Sequence, residues 1–523
     1  FIPANSQFAA IEICEESFEV FHMNFSHDNT FCVPSNNLEQ IQEDSYLDED
    51  EKEQAFLEYL KTGSYTKSMS QVIKDSPSVT EMKLQKTNPW KDQEFEQQFD
   101  LDHLPSKSKK HAIKTFKKHI DIFSRHEMDI GCATDIEMDI EIDNSKPRIQ
   151  KYYPLPLNVR EGVRKILDQM LEYGILRECP EPSNFVSNLL VTKKRNGDIR
   201  ILLDGRLLNN ATIRKATVLV SPIEVFAHAA QKAYISTIDI SNAFFQIPIK
   251  YEHQCYTAFY SDAHGKRYCF TRAPQGLKNS PLFLKLLMDK MFASSELLKH
   301  VIYYADDIMI ATNKSLSHHI EIIDKVLQCF SNANIKIKAQ KMSIAKPEVE
   351  FLGIIWRQGR LHIPSARIQA FKNVPIPKTP KKVKSFVCAM SYYRKFIPKF
   401  AELAKPLMDL SSLHPTQFKW LPIHQQSFDN MIRAIEINTS LNLPDPQKPF
   451  FVQTDASDVA GAGRVFQKDD QGNELLMACV SRTFTKAERK YGTFRKEVLA
   501  LLYCLKSMDF FLRFANKLVI LID

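Results

Sequence analysis

The sequence predicts a multidomain chain of mixed α+β and α/β class, built around a split, ferredoxin-like βαββαβ unit. Three observations carry that expectation. The 523 residues are too many for one hydrophobic core and imply three or four domains. An apolar, β-prone stretch, Val301–Ala311, holds two adjacent acids, Asp306 and Asp307, and reads as two buried strands joined by a tight turn. Around it, the order of strand, helix, hairpin, helix and strand is that of a split βαβ sheet.

The elements follow in chain order. Residues 1–38 mix short β-like runs and carry no usable motif. Residues 39–58 hold nine acids against Lys52, and the Ser-, Thr- and Lys-bearing stretch to Lys91 reads as linker or weakly ordered helix. After Leu104-Pro-Ser, the spacing of Ile113, Phe116, Ile120 and Phe123 predicts a helix capped by Ser106 or Ser108. Pro154-Leu-Pro opens a new unit. Val163, Ile166, Leu167, Met170 and Leu171 then mark an amphipathic helix that ends near Gly174. Strands at 187–192 and 199–203 flank Lys193-Lys-Arg-Asn-Gly-Asp198, whose Asn-Gly is a hairpin signal. Three cations on that tip serve either solubility or a triphosphate.

Asp239 stands alone in the β-rich segment 233–249, where a single acid commonly caps or turns. Arg272–Pro281 reads as a turn feeding a helix over 282–291. A second helix covers 317–332, and strands follow at 335–337 and 350–356.

The chemistry starts from the acid pair. Two like charges about 4 Å apart repel by roughly 4 kcal/mol at an effective dielectric near 20, and burial adds a desolvation cost. An exposed Asp-Asp turn is the plain reading of the dipeptide. The βαββαβ order instead places Asp239 beside Asp306 and Asp307 on one sheet. Three carboxylates there suit hard cations, Mg²⁺ or Mn²⁺. Two such ions, about 3.5 to 4 Å apart, can clamp the oxygens of a phosphoryl transfer.

Composition narrows the classes. With 44% hydrophobic and 25% charged residues the chain is globular. The net charge of +7 is uneven: residues 372–405 hold nine Lys or Arg against Glu402, which suits a polyanion or a solvated helix face. The ten cysteines are scattered without C-x-x-C spacing, which excludes a zinc or disulfide scaffold and implies a reducing, intracellular, cytoplasmic setting. No apolar run approaches a membrane span, and Phe1-Ile-Pro-Ala-Asn lacks a signal pattern. Both ends look cut, so a piece of a larger polypeptide is expected.

Several motifs, in order over about residues 99–523, resemble the reverse transcriptases of LTR retrotransposons and retroviruses, in pattern most like Gypsy-like elements. Tyr304-Ala-Asp-Asp307 is similar to the Y-x-D-D box, and Thr237–Pro248 to the motif of the first metal aspartate. Leu203-Asp-Gly-Arg-Leu-Leu-Asn209 resembles D-Y-R-x-L-N, with Gly205 in place of the aromatic. Ala273–Pro281 resembles the P-Q-G box, Phe351-Leu-Gly353 the primer-grip region, and Ser391–Pro398 a motif that follows the thumb. Further on, Phe450–Gly463, with its acid before Gly-rich hairpin residues, resembles the start of a ribonuclease H fold. Tyr491–Ala500 and Leu518–Asp523 resemble its glutamate-bearing helix and its next acidic strand.

The resemblance implies a right-hand polymerase of fingers, ferredoxin-like palm and thumb, followed by a truncated ribonuclease H-like domain. The expected divisions are an N-terminal segment (1–98), a pre-fingers helical segment (99–146), fingers and palm (147–360), thumb (361–413), tether (414–446) and the partial ribonuclease H-like domain (447–523). Asp239 and Asp306 would hold the metals, with Asp307 a less direct ligand. Lys193 or Lys194, with Arg200, would contact the dNTP triphosphate, and Gln275 would line the nucleotide pocket. Phe244 would exclude the ribose 2′-OH; plain core packing is its other reading. Asp455, Glu497 and Asp523 would form a second two-metal site acting on RNA–DNA hybrid. The family's fourth acid lies beyond Asp523, which leaves that nuclease activity open.

RNA and DNA template–primer are the implied partners, with a protease and an integrase flanking in a parent polyprotein. No D-[ST]-G protease signature occurs in residues 1–90. A decayed or domesticated element protein that binds nucleic acid without catalysis is the reading of a different class. A telomerase or group II intron enzyme is a third, disfavoured by the ribonuclease H-like segment.

Overall fold

The two acids sit where an apolar strand is forced to reverse, and the rest of the fold brings other residues to that point. The computed structural model describes residues 90–523, apart from 144–147, 181–182, 194–198, 217–225, 227–228, 231, 295, 514 and 523. The acidic run and the weak helix expected within residues 39–89 lie outside the described residues.

Helices α1 (Asp92–Glu96) and α2 (Ser106–Lys118) lead the described chain. Phe95, Phe99, Phe116 and Phe123 pack with ring centroids 4.6 to 6.2 Å apart. α2 begins after Pro105, and neither Ser106 nor Ser108 supplies the expected cap. Pro105 holds the preceding backbone extended, so the helix can start without one. The segment that follows is fastened to later chain: Cys132 N–H donates to Asn334 O at 2.9 Å.

α3 (Leu157–Glu172) starts after Pro156 and ends before Gly174 at φ +63°. It is followed by β1 (Leu176–Glu178) and the hairpin of β2 (Leu189–Lys193) and β3 (Ile199–Leu203). Helix α4 (Arg206–Ala211) precedes β4 (Tyr234–Asp239). Strands β5 (Phe259–Ser261) and β6 (Lys266–Phe270) join β1 in the order β1-β6-β5. Then come α5 (Ser280–Met291), β7 (Val301–Tyr304), β8 (Asp307–Thr312) and α6 (Leu316–Asn332), which Ser315 caps through His318 N–H. The acid-bearing sheet is antiparallel with the order β4-β8-β7.

The expected fourth strand at 335–337 does not form. Ile337 makes single bridges to Ile240 and to Phe123, and Ser343 farther on bridges Thr237. The 3₁₀ turn Ala339–Lys341 lies between the two bridges along β4 and interrupts the pairing. The expected strand over 350–356 is two strands, β9 (Glu348–Phe351) and β10 (Ile354–Arg357), followed by β11 (Arg360–His362). Leu352-Gly353 and Gln358-Gly359 turn the chain between them, all four residues left-handed. Paired positive φ values are what a two-residue hairpin loop demands.

The basic stretch 372–405 spans three helices rather than one: α7 (Ser365–Lys372), α8 (Pro380–Ser391) and α9 (Phe400–Ser411). Prolines 375, 377 and 380 separate the first two. The segment expected as a tether contains α10 (Pro422–Ile437) and β12 (Ser440–Asn442), which pairs with β11.

The C-terminal sheet comprises β13 (Phe450–Ala456), β14 (Ala460–Lys468), β15 (Glu474–Thr483) and β16 (Leu518–Ile522), in the order β15-β14-β13-β16. β16 runs parallel to β13, and α11 (Thr493–Ser507) lies on the sheet. Gly461 and Gly463 were expected to turn the hairpin. They lie inside β14 instead, and the turn is Ser457-Asp458-Val459. The glycines let α11 approach: a Cβ on Gly463 would stand 2.6 Å from Cys504 Sγ, and one on Gly461 would stand 2.9 Å from Ala500 Cβ.

An apolar core runs from Ile235 and Met309 under the acids, through Trp356, Phe386 and Met431, to Val452 in the C-terminal sheet and Cys504 on α11. Among the described residues no helix is long and apolar enough to cross a membrane.

Candidate active site

Strand register places the first acid. In the β4–β8 pair Asp307 is the direct partner of Asp239, so both side chains leave the same face of the sheet. Asp306 occupies the turn with Ala305, whose φ is +54°. The reversal lets neighbouring acids serve one site, since consecutive residues of an unbroken strand face opposite ways. The turn is also tied down from below, where Asp306 O accepts from Ile240 N–H at 3.3 Å.

The electrostatics are those of clustered acids only partly balanced by one cation. Burial pushes the Asp307 carboxyl up to about 6, and the charges of Asp306 and Asp239 add to the rise. Burial likewise lifts Asp306, with Asp239 contributing. Lys341 Nζ lies 2.8 Å from Asp239 Oδ2, and its charge acts on both other acids in the opposite sense. The sequence reading missed Lys341. Its only signal was membership of the run Lys336, Lys338, Lys341 and Lys346, which points at no partner. Among the described residues no group of three or more His, Cys, Asp or Glu is set up to hold a metal ion; Asp239 is paired with the lysine instead. The donor set itself consists of hard carboxylate oxygens, the kind that Mg²⁺ or Mn²⁺ satisfies.

The residues expected to handle a nucleotide are spread over several elements. Phe244 is half-buried on a 3₁₀ turn (Ala243–Gln246) that follows β4. Its neighbour Phe245 instead stacks on Phe270 with centroids 6.1 Å apart. Gln275 is half-buried and precedes Gly276, a residue at φ +101°. Asn209 holds that turn: its Nδ2 donates to Gly276 O at 2.7 Å, and its Oδ1 accepts from Lys278 N–H at 2.8 Å. Gly205 begins α4, where Arg206 grips Asp204 through two bonds of 2.8 and 2.6 Å. Arg200 is exposed on β3. Lys194 and the Lys193 side chain lie outside the described residues.

The second set of acids is placed differently. Asp455 lies on β13, where Lys399 Nζ contacts its carboxylate. Lys399 is left-handed at φ +52° and begins α9. Glu497, on α11, is buried, and its Oε1 accepts from Ala456 N–H at 3.0 Å. The fold thus brings Asp455 and Glu497 to adjacent positions, and Asp523 lies outside the described residues. Lys399 was also missed, because no local pattern relates it to an acid in another element.

Comparison with known proteins agrees with this architecture. Residues 191–356 match the family model for reverse transcriptase (RNA-dependent DNA polymerase). Residues 420–520 match the RNase H-like domain found in reverse transcriptase. The retrovirus-related Pol polyprotein from transposon opus of Drosophila melanogaster is 31% identical over 408 residues, 75% of this chain and 40% of that protein. Its counterpart from transposon gypsy of the same organism is 28% identical over 80% of this chain and 41% of that protein. The chain thus spans about two-fifths of the length of these curated relatives. Among solved structures, the foamy viral protease-reverse transcriptase dRH in complex with ds DNA superposes with a TM-score of 0.70 at 25% identity, covering 82% of this chain and 73% of that one. The chain belongs to the reverse transcriptases of retrovirus-related, Gypsy-like Pol polyproteins, with a polymerase domain followed by an RNase H-like domain.

Proposed function

We propose that the chain extends a DNA primer on an RNA or DNA template, taking deoxynucleotides from dNTPs, and that Asp239, Asp306 and Asp307 are its catalytic acids. The observation that carries this reading is the register of Asp307 on Asp239 beside Asp306, with the Asp306 and Asp307 carboxyls raised by burial and by the neighbouring charges. Those three residues would hold Mg²⁺ or Mn²⁺. When bound, two such ions polarise the attacking 3′-oxygen and neutralise charge on the leaving phosphates. Without the ions, Lys341 partly balances the acids through Asp239.

The remaining roles rest on the resemblance of the motifs. Lys193 or Lys194, with Arg200, meets the triphosphate, and Gln275 lines the nucleotide pocket. Phe244 blocks the space that a 2′-OH needs. Lys378, Lys381, Lys382 and Lys384 are exposed at the start of α8, where the helix dipole disfavours cations. Template–primer phosphates relieve that arrangement, which makes binding salt-sensitive. In this reading fingers and palm span 147–360, the thumb spans 361–413 and the ribonuclease H-like part starts at 447. Asp455, Glu497 and Asp523 form the acidic set of that part, acting on RNA–DNA hybrid. Flanking protease and integrase modules belong to the same proposal.

The test is dTTP incorporation on poly(rA)/oligo(dT) with Mg²⁺ or Mn²⁺. Asp306→Asn should lower extension by about 10³-fold or more while primer–template binding persists. Equal extension by both proteins would overturn the assignment. In the same assay Phe244→Ala should admit ribonucleotides; unchanged sugar discrimination would return Phe244 to a packing role.

A further inference from the structure

Phe244 rides on a 3₁₀ turn of four residues, Ala243–Gln246, whose poor hydrogen-bond geometry makes it a weak scaffold by itself. The turn is held from outside. Gln246 is fully buried, and its amide makes four bonds, the full complement of that group. Its Oε1 accepts from Gly131 N–H at 2.9 Å and from Lys336 N–H at 2.7 Å. Its Nε2 donates to Ser241 O at 2.5 Å and to Lys336 O at 2.8 Å. A fully satisfied buried amide admits one arrangement of its neighbours, because any other leaves a polar group unpaired in a dry interior.

One side of this arrangement comes from segment 124–133, far earlier in the chain, which meets the turn at both ends. The Ser124 hydroxyl donates to Ser241 Oγ at 2.8 Å, and Asn242 Nδ2 donates to Glu127 O at 2.8 Å. Ala133 N–H donates to Gln246 O at 2.7 Å. Asn242, which opens the turn, is left-handed at φ +44°. The segment is itself anchored by a buried ion pair between Asp129 and Lys336, and Asp129 also accepts from Arg125 N–H at 3.0 Å. Lys336 therefore serves twice, binding the segment through its side chain and Gln246 through its backbone. Gly131 has no room for a side chain: a Cβ there would stand 2.0 Å from Asn334 O and 2.8 Å from Gln246 Oε1. Segment, lysine and turn form one hydrogen-bonded unit.

We propose that Gln246 is a positioning residue for sugar selection: by bracing the 3₁₀ turn against segment 124–133, it fixes the Phe244 ring where a ribose 2′-OH would project. The role deepens the polymerase reading above and rests on Phe244 as the gate. Gln246 itself is sealed from solvent, so it acts on a nucleotide only through the turn.

The experiment uses the full chain with Gln246→Met, which keeps the length of the side chain and removes its polar atoms. Incorporation of dTTP and of UTP on poly(rA)/oligo(dT) gives a kcat/KM for each, and their ratio is the discrimination. The ratio should fall about ten-fold, mainly through a lower KM for UTP, while kcat for dTTP stays within about three-fold. Amide exchange at Phe245 and Ile247, whose N–H groups close the turn on Asn242 O and Phe244 O, should accelerate. Ser124→Ala, a milder change at a part-buried site, should act in the same direction by about three-fold. Adding Gln246→Met to Phe244→Ala should leave the ratio where Phe244→Ala puts it, because the ring to be positioned is gone. A further fall in that double variant overturns the role and returns Gln246 to general packing. So does an unchanged ratio in Gln246→Met when Phe244→Ala has lost discrimination. Should Gln246→Met not fold, Ser124→Ala decides alone, and an unchanged ratio there overturns the role. Intact discrimination in Phe244→Ala would strike the gate reading and the sugar role with it, whereas exchange at the turn decides the brace separately.

Discussion

The two acidic sites in this chain use the same residue types in opposite electrostatic states. At the β4–β8 turn, three carboxylates face one another and burial raises two of them, with Lys341 as a partial counterweight. At β13, Asp455 is already paired with Lys399, and Glu497 uses one oxygen to accept a backbone N–H. Uncompensated charge is a reservoir that cation binding releases, whereas charge satisfied within the protein resists being displaced. The first site keeps two carboxylates raised despite Lys341, and the second holds its acids in contacts with α9 and the backbone.

The largest expected contrast is in pH dependence, because only the acid-bearing sheet has a buried histidine beneath it. His319 is fully buried between Ser236 Oγ at 2.7 Å and Thr312 Oγ1 at 2.9 Å. Burial, reinforced by His318 and His300, pushes its pKa down from 6.5 to about 4. The folded protein keeps this histidine neutral while the unfolded chain protonates it near 6.5, so stability is lost as pH falls from about 6.5 to 4. The loss amounts to about 3 kcal/mol. Asp307 acts in the reverse sense. Its raised pKa means that the fold holds a proton the unfolded chain has released, so stability is lost as pH rises from about 4 to 6. Solvent contact reduces that term to about 1–2 kcal/mol. Denaturant titrations should show a shallow profile for the wild type, steeper acid loss for Asp307→Asn, and the opposite slope for His319→Gln. Parallel profiles for all three proteins would refute both assignments.

A smaller effect sharpens the contrast from the C-terminal side. Gly463→Ala places a methyl group against Cys504 and should destabilise by about 1–3 kcal/mol, because the helix bearing Glu497 must move away. Calorimetry on the full chain reads the loss. Adding Cys504→Ala should recover part of it, and strict additivity of the two substitutions would show that the glycine serves another purpose.

The smallest effect belongs to Lys399→Gln. The pair with Asp455 is about half-exposed on both sides, at 54% and 40%. Its removal should change stability by no more than about 1 kcal/mol. A larger drop in melting temperature would mean that the pair fastens the helix to the sheet, and the two sites would differ less than their charges suggest.

Much of this was legible in the chain itself. Local pattern dictates helix and strand spacing, so α6 and the β7–β8 hairpin lie within a residue or two of where periodicity puts them. Asp306 and Asp307 were visible as an unfavourable pair in an apolar run, and the motif order pointed to Asp239 as their partner. The 335–337 segment, Gly461 and Gly463 were misread for one reason. Their roles depend on what packs against them: a chain leaving the sheet in the first case, and a helix needing room in the second.

The sequence by itself determined the element types, the acids and the reaction class they suit, because each follows from residue chemistry and short-range spacing. Tertiary structure alone decided which cation meets which acid. Lys341 reaches Asp239 and Lys399 reaches Asp455 across 102 and 56 residues of chain. Tyr392 reaches Leu352 across 40. Such pairings depend on how strands register and helices pack, and no local periodicity encodes them.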